Sequence, residues 1–149
     1  MNKIKKFVKQ LSKFNNFYGF LLKNGEEFNL GNNHNFNCRS LLKKYCIFRR
    51  KKGCYYNAQQ LAVYSNGKYG YYEGYAIVKK IGIPLEHAWN DRNGKIIDIT
   101  WKDGVEYYGV NIPYKWLKKQ YFKCALDHGV SDSQLRDYWI YKNKNRIMV

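Results

Sequence analysis

The sequence predicts an α+β fold, with helices packed on a mostly antiparallel sheet. Apolar residues recur at helical spacing near both ends of the chain. Between about residues 69 and 110 the pattern changes to aromatic and β-branched runs separated by turns. The order is therefore helices, consecutive strands, then helices again, which is how α+β proteins are laid out.

Ile4, Phe7, Val8, Leu11 and Phe14 form a helical stripe over 3–14, with lysines opposite. The Gly- and Asn-rich stretch 24–37 is expected to be a loop. Leu41, Leu42, Tyr45 and Phe48 suit a short helix over 39–48. A helix opens at Cys54 and runs to about Tyr64, where "SNGKYG" supplies turn residues. Strands are expected at 69–78, 85–91, 95–101 and 105–110, with "DRNG" as the turn between the second and third. Pro113 opens a helix with Tyr114, Trp116, Leu117 and Tyr121 on it. Ser131 and Gln134 make a capping-box pattern ahead of Leu135, Tyr138 and Trp139.

One domain, 1–149, is expected from a chain of 149 residues with 45% hydrophobic and 18% aromatic content. No run approaches a membrane span, and the basic N-terminus lacks a continuous apolar signal core, so a soluble cytoplasmic protein is expected. Cys38, Cys46, Cys54 and Cys124 contain no CxxC pair, and reduced thiols are expected. His34 and Cys38 lie four apart, too few ligands for a metal site. No metal or cofactor is expected. The net charge of +16 admits a nucleic-acid or other polyanion partner. Its basic residues are scattered, however, no nucleic-acid-binding motif is present, and the Lys-, Asn-, Ile- and Tyr-rich composition suits an AT-rich genome.

The chemistry centres on Cys54. Gly53 permits the tight backbone of a helix start, and a thiol there faces unpaired N–H groups and the positive end of the helix dipole. That favours the reactive thiolate, as does the preceding run Arg49, Arg50, Lys51 and Lys52. A lone cysteine at such a position is more often a small buried hydrophobe, so partners are needed. Leu85, His87 and Trp89 share one strand face; Ile96, Asp98 and Thr100 share another. A two-residue Asn93-Gly94 turn sets His87 opposite Thr100 with Asp98 its diagonal neighbour. A four-residue "DRNG" loop sets His87 opposite Asp98. Either register puts both side chains on one face, whereas a three-residue loop would part them. A carboxylate there fixes the imidazole tautomer and stabilises the imidazolium, and a thiol completes a Cys–His–Asp arrangement.

"GCYYNAQQLAV", "EGYA" and "EHAWNDRNGKIIDITW", over about residues 50–110, resemble the core of transglutaminase-like proteins in the papain-like superfamily. The resemblance implies a cysteine-bearing helix packed on the sheet, with Cys54 as nucleophile, His87 as base and Asp98 as orienter. Ile99 stands where that family usually has proline, and no tryptophan precedes Trp89 to serve as an upstream oxyanion donor. Tyr45, Asn57, Glu73 and Trp89 are the candidates for substrate or oxyanion contacts. Asn57 either orients substrate or satisfies a buried strand end; Glu73 and Tyr75 share a strand face that could border the cleft; Trp89 and Trp101 suit the core or the cleft wall.

The expected activity is thiol-dependent acyl transfer, as a cysteine peptidase or amidase or as a transglutaminase-type enzyme, on a protein or peptide substrate. The alternatives are an inactive transglutaminase-like binding module and a basic nucleic-acid-binding protein. The run at 49–52 further predicts acidic groups flanking the scissile carbonyl, because focusing raises encounter rates by roughly ten- to a thousandfold. Neutralising those four residues is expected to slow reaction with an acidic substrate far more than with a neutral one. Equal slowing, measured as second-order rate constants at low salt, removes the link between the charge and the substrate.

Overall fold

The computed structural model describes residues 3–29, 38–127 and 132–147. Its elements are α1 (Lys3–Ser12), α2 (Asn16–Asn24), β1 (Glu26–Asn29), α3 (Cys38–Lys44), α4 (Cys54–Tyr64), β2 (Gly70–Val78), β3 (Leu85–Arg92), β4 (Lys95–Ile97), β5 (Gly104–Ile112), α5 (Tyr114–Asp127) and α6 (Leu135–Ile147). The strands form one sheet in the order β1-β5-β2-β3-β4, with every pairing antiparallel. The α+β expectation is met. His34 and Ser131 fall outside the described residues, as does the side chain of Cys124.

Strand alternation divides the sheet into two faces. Tyr71, Tyr75, Ile77, Ala88, Tyr108, Val110 and Ile112 pack beneath α1, α2, α4, α5 and α6. Phe28, Tyr72, Ala76, Trp89 and Tyr107 form an aromatic cluster on the other face. Leu41 and Ile47 pack with Leu61, Tyr69, Ile97 and Ile99 in a third cluster beyond the β4 edge. Gly74 and Gly109 sit opposite each other in the β2–β5 ladder. A Cβ on Gly74 would lie 2.2 Å from the Tyr108 carbonyl oxygen, and one on Gly109 would lie 2.6 Å from the Trp89 ring. Their absence lets the two strands close together over the indole.

Helix α4 is buried from Asn57 to Val63 on every side. Ala58 and Ala62 meet the sheet cluster while Leu61 meets the α3 cluster. Its amides find partners at both flanks. Asn57 Oδ1 accepts from Arg50 N (2.8 Å) and its Nδ2 donates to Arg50 O (2.8 Å). Gln60 makes the same two-way clasp on Phe48, accepting from its N (3.3 Å) and donating to its O (3.0 Å). The segment that leads into Cys54 is thereby bolted to the helix that Cys54 begins.

Several boundaries differ from expectation. The helical stripe ends at Ser12 because Asn15 caps a new helix, its side chain accepting from Phe17 N; Phe14 is left 87% exposed. The loop expected at 24–37 contains β1, paired with β5. Helix α3 stops at Lys44, and Cys46, with φ 53°, turns the chain so that Phe48 faces solvent. The strand expected at 95–101 stops at Ile97, because Asp98 Oδ1 accepts from the amides of Thr100 (3.0 Å) and Trp101 (2.9 Å) and bends the backbone out of the ladder.

Glu73 is the largest departure. It is 1% exposed on the helix-covered face and caps α6 rather than bordering an open cleft. Its carboxylate accepts from Gln134 N (2.6 Å), Leu135 N (3.0 Å), Ser133 Oγ (2.6 Å) and Tyr71 OH (2.5 Å). Burial raises its pKa, and these four hydrogen bonds act in the opposite direction. Glu73→Ala is expected to cost about 3 kcal/mol or more, because it orphans buried donors at the α6 start. Urea unfolding measures this; a loss below about 1 kcal/mol would show that solvent can replace the cap.

Candidate active site

The β3–β4 connection is the two-residue Asn93-Gly94 turn, both residues at positive φ (54° and 79°), with Arg92 paired to Lys95. Asn90 pairs with Ile97, so β4 covers only the far end of β3, and among the described residues the stretch from Leu85 to Trp89 has no strand neighbour on that side. Into that gap come the Asp98 turn and the start of α4. Asn57 Nδ2 donates to Thr100 Oγ1 (3.0 Å) and Asn90 Nδ2 donates to Ala58 O (2.9 Å), drawing the first turn of α4 against β3.

His87 Nε2 lies 2.8 Å from Asp98 Oδ2, with the imidazole fully buried and the carboxylate side chain 6% exposed. Since the carboxylate accepts, Nε2 carries the proton. The same Oδ2 accepts from Tyr107 OH at 2.7 Å. With its other oxygen held by two backbone amides, Asp98 has no freedom to turn from the ring. Trp101 lies flat on the imidazole, 3.5 Å between centroids and 7° between planes. Trp89 lies 6.2 Å away in a roughly parallel plane.

The nitrogen left for a thiol is Nδ1, which is buried and, among the described residues, has no partner at full hydrogen-bond geometry, Cys54 being the side chain that acts on it. Cys54 is the first residue of α4, half-buried, and near enough to act on His87. Burial lowers the imidazole pKa. The Asp98 charge and hydrogen bond, followed by Cys54, more than reverse this and raise it to about 9. Gly53 caps α4 without a side chain, so no side-chain acceptor occupies the helix start.

The other candidates are placed elsewhere. Asn57 is fully buried and satisfies Arg50 and Thr100, which lie outside the strands, so it ties two turns together rather than a strand end. Tyr45 rests edge-on against Tyr69 (5.9 Å) in the α3 cluster. Trp89 is 1% exposed, stacked on Tyr72, with its indole N–H unpartnered. Arg49 donates to Ile99 O (3.3 Å) and Arg50 lies 4.0 Å over the Tyr56 ring, so Lys51 and Lys52 are the members of the basic run without these structural ties. Tyr107 and the turn amides on Asp98 were not among the expected site residues. Alternation in "VEYYGV" could orient Tyr107, but only the β2–β5 register brings it to Asp98.

Cys38, Cys46 and Cys54 are free thiols, and burial raises the Cys38 pKa. Among the described residues, no cluster of His, Cys, Asp or Glu suits a metal ion, and no helix is long and apolar enough to cross a membrane. Comparisons with protein-family models, curated proteins and solved structures return no match.

The buried pair has a pH signature. His87 titrates at about 9 in the fold against 6.5 ordinarily. The folded state therefore holds an extra proton between those values. The stability from this site is complete below pH 6.5 and is lost as pH rises through about 9, a loss of roughly 3 kcal/mol. Unfolding free energies at pH 6 and pH 9.5 are expected to show that loss in the native chain, and little of it in Asp98→Asn. An equal loss in both proteins would place the titration elsewhere.

Proposed function

We propose that this chain is a thiol-dependent acyl-transfer enzyme, a transglutaminase-like variant of the papain-like fold, with Cys54, His87 and Asp98 as its triad. The observation that carries this is the buried His87 imidazole, bonded through Nε2 to a four-bonded Asp98 and left with Nδ1 unpartnered beside Cys54.

In this reading the sulfur of Cys54 attacks a carbonyl carbon after its proton has passed to Nδ1. The tetrahedral oxyanion is received by the Cys54 N–H at the start of α4. The imidazolium returns the proton to the leaving nitrogen, the C–N bond breaks, and a thioester remains. Water, deprotonated by His87, releases the acid and restores the thiol; an amine in its place gives a new amide. Hydrolysis is the default outcome, since transfer to an amine needs water to be kept from the thioester. Asp98 holds the tautomer throughout, Tyr107 and the turn amides hold Asp98, and Trp101 shields the ring. Free thiols at Cys38, Cys46 and Cys54 suit a reducing compartment such as the cytoplasm. The substrate is a protein or peptide, with acidic groups on the side facing Lys51 and Lys52.

Iodoacetamide at pH 6 tests the proposal. Cys54 is expected to alkylate at least about tenfold faster than Cys38 or Cys46, by mass mapping of the digest. His87→Gln is expected to erase that preference. Asp98→Asn is expected to fold and to lose activity on the order of a thousandfold or more, through the wrong tautomer. Amide cleavage is expected to fall above pH 9, where the imidazolium that protonates the leaving group is lost. Equal alkylation rates among the three thiols would favour the inactive binding module instead.

A further inference from the structure

A pocket of about 330 Å³ lies at the first turn of α4, walled by Phe17, Tyr55, Tyr75, Glu86, Arg136 and Asp137, with Gly74 in its lining; the triad side chains do not line it. Two of these positions are sequence neighbours of the proposed catalytic residues. Tyr55 follows Cys54 on α4, and Glu86 precedes His87 on β3. Gly74 is the register partner of His87, and Tyr75 that of Glu86. Tyr55 links the pocket to the thiol, since its phenol lies near enough to Cys54 and to Glu86 to feel both. None of the basic run at 49–52 lines it.

The walls are aromatic and the rim is acidic. Tyr55 and Tyr75 stay neutral phenols, burial raising both pKa values. Glu86 and Asp137 are exposed, and neither is in an ion pair among the described residues. The one cation in the lining, Arg136, has its guanidinium 4.2 Å over the Phe17 ring. The positive end of α6, which would otherwise recruit an anion, is already answered by Glu73. The remaining charges leave the rim net negative on a chain of net charge +16. An apolar stem between aromatic faces with a cation at carboxylates is the environment that a lysine or arginine side chain fits.

Resting on the proposed thiol chemistry, we infer that this pocket receives a basic side chain of the substrate, on the residue that carries the scissile carbonyl, with Glu86 and Asp137 as its specificity determinants. The test compares chloromethyl ketones of N-acetyl-lysine, N-acetyl-norleucine and N-acetyl-glutamate, in which the Cys54 sulfur displaces chloride. Norleucine keeps the stem and removes the ammonium. The lysyl reagent is expected to inactivate about tenfold faster than the norleucyl one, and the glutamyl reagent more slowly than either. Combining Glu86→Gln with Asp137→Asn is expected to bring lysyl and norleucyl within about twofold, with the iodoacetamide rate unchanged.

If Cys54 is modified selectively but lysyl gains nothing over norleucyl, the inference is overturned and the thiol chemistry stands. If no reagent selects Cys54, the thiol chemistry fails, and the pocket is judged by binding alone. In Cys54→Ala, N-acetyl-lysine amide is expected to shift the amide resonances of Gly74, Tyr75 and Arg136, and N-acetyl-norleucine amide to leave them in place. Absence of a lysine-specific shift there overturns the inference whatever the thiol does.

Discussion

Helix α4 is buried from Asn57 to Val63, and much of the structure answers that constraint. A buried side-chain amide without partners costs on the order of 1–3 kcal/mol. Asn57, Gln59 and Gln60 therefore draw on three other parts of the chain, with Gln59 Oε1 the one oxygen of theirs left without a partner among the described residues. Asn57 takes Arg50 and Thr100; Gln60 takes Phe48; Gln59 donates to Tyr71 OH (3.0 Å) and to Asp132 O (2.8 Å). The approach to Cys54, the turn after Asp98 and the entry to α6 are thus tied to one helix. The same helix presents its uncapped start to His87. Order around the site is inherited from the core rather than built at the surface.

Electrostatics at His87 are a contest between burial, which opposes an imidazolium, and Asp98, which supports one. Asp98 prevails because its carboxylate is held on both oxygens. A carboxylate free to rotate would share its charge with solvent. Here the turn amides and Tyr107 fix its direction, and the flat Trp101 ring keeps water off the shared proton. Thr100 and Trp101 thus each serve twice, once through a backbone amide on Asp98 and once through a side chain, on Asn57 or on the imidazole.

Local signals made part of this visible in the chain. Gly53 and the Asn66-Gly67 turn bracket α4, and Asn93-Gly94 is a turn that only a few residue pairs tolerate. The short hairpin brought Asp98 to the neighbourhood of His87, but the strand alternation expected through Thr100 stops at Ile97, and it is the Asp98 turn that aims the carboxylate at the ring. Elements that depend on distant partners stayed hidden. Strand β1 is a short polar run whose identity as a strand comes from β5, and α2 is marked by little more than Asn15. Glu73 reads as a cleft carboxylate within its own strand; its real partners lie 60 to 62 positions later, at Ser133, Gln134 and Leu135. Tyr107 reaches Asp98 only through the order of strands in the sheet, which no local pattern encodes.

A tyrosine-rich antiparallel sheet is also a template on which other chains can add. The two outermost strands here are the shortest, β1 with four residues and β4 with three. Consecutive glutamates, Glu26 and Glu27, lie along β1, and Lys95 begins β4. Short, charged borders give an incoming strand few backbone groups to zip against and an unfavourable field at one side. The long aromatic strand β2 is paired on both sides for most of its length, and β5 is so paired over Glu106–Gly109. The strand order therefore keeps the most aromatic strand, β2, away from the borders, so that much of an aromatic content of 18% serves packing inside the sheet.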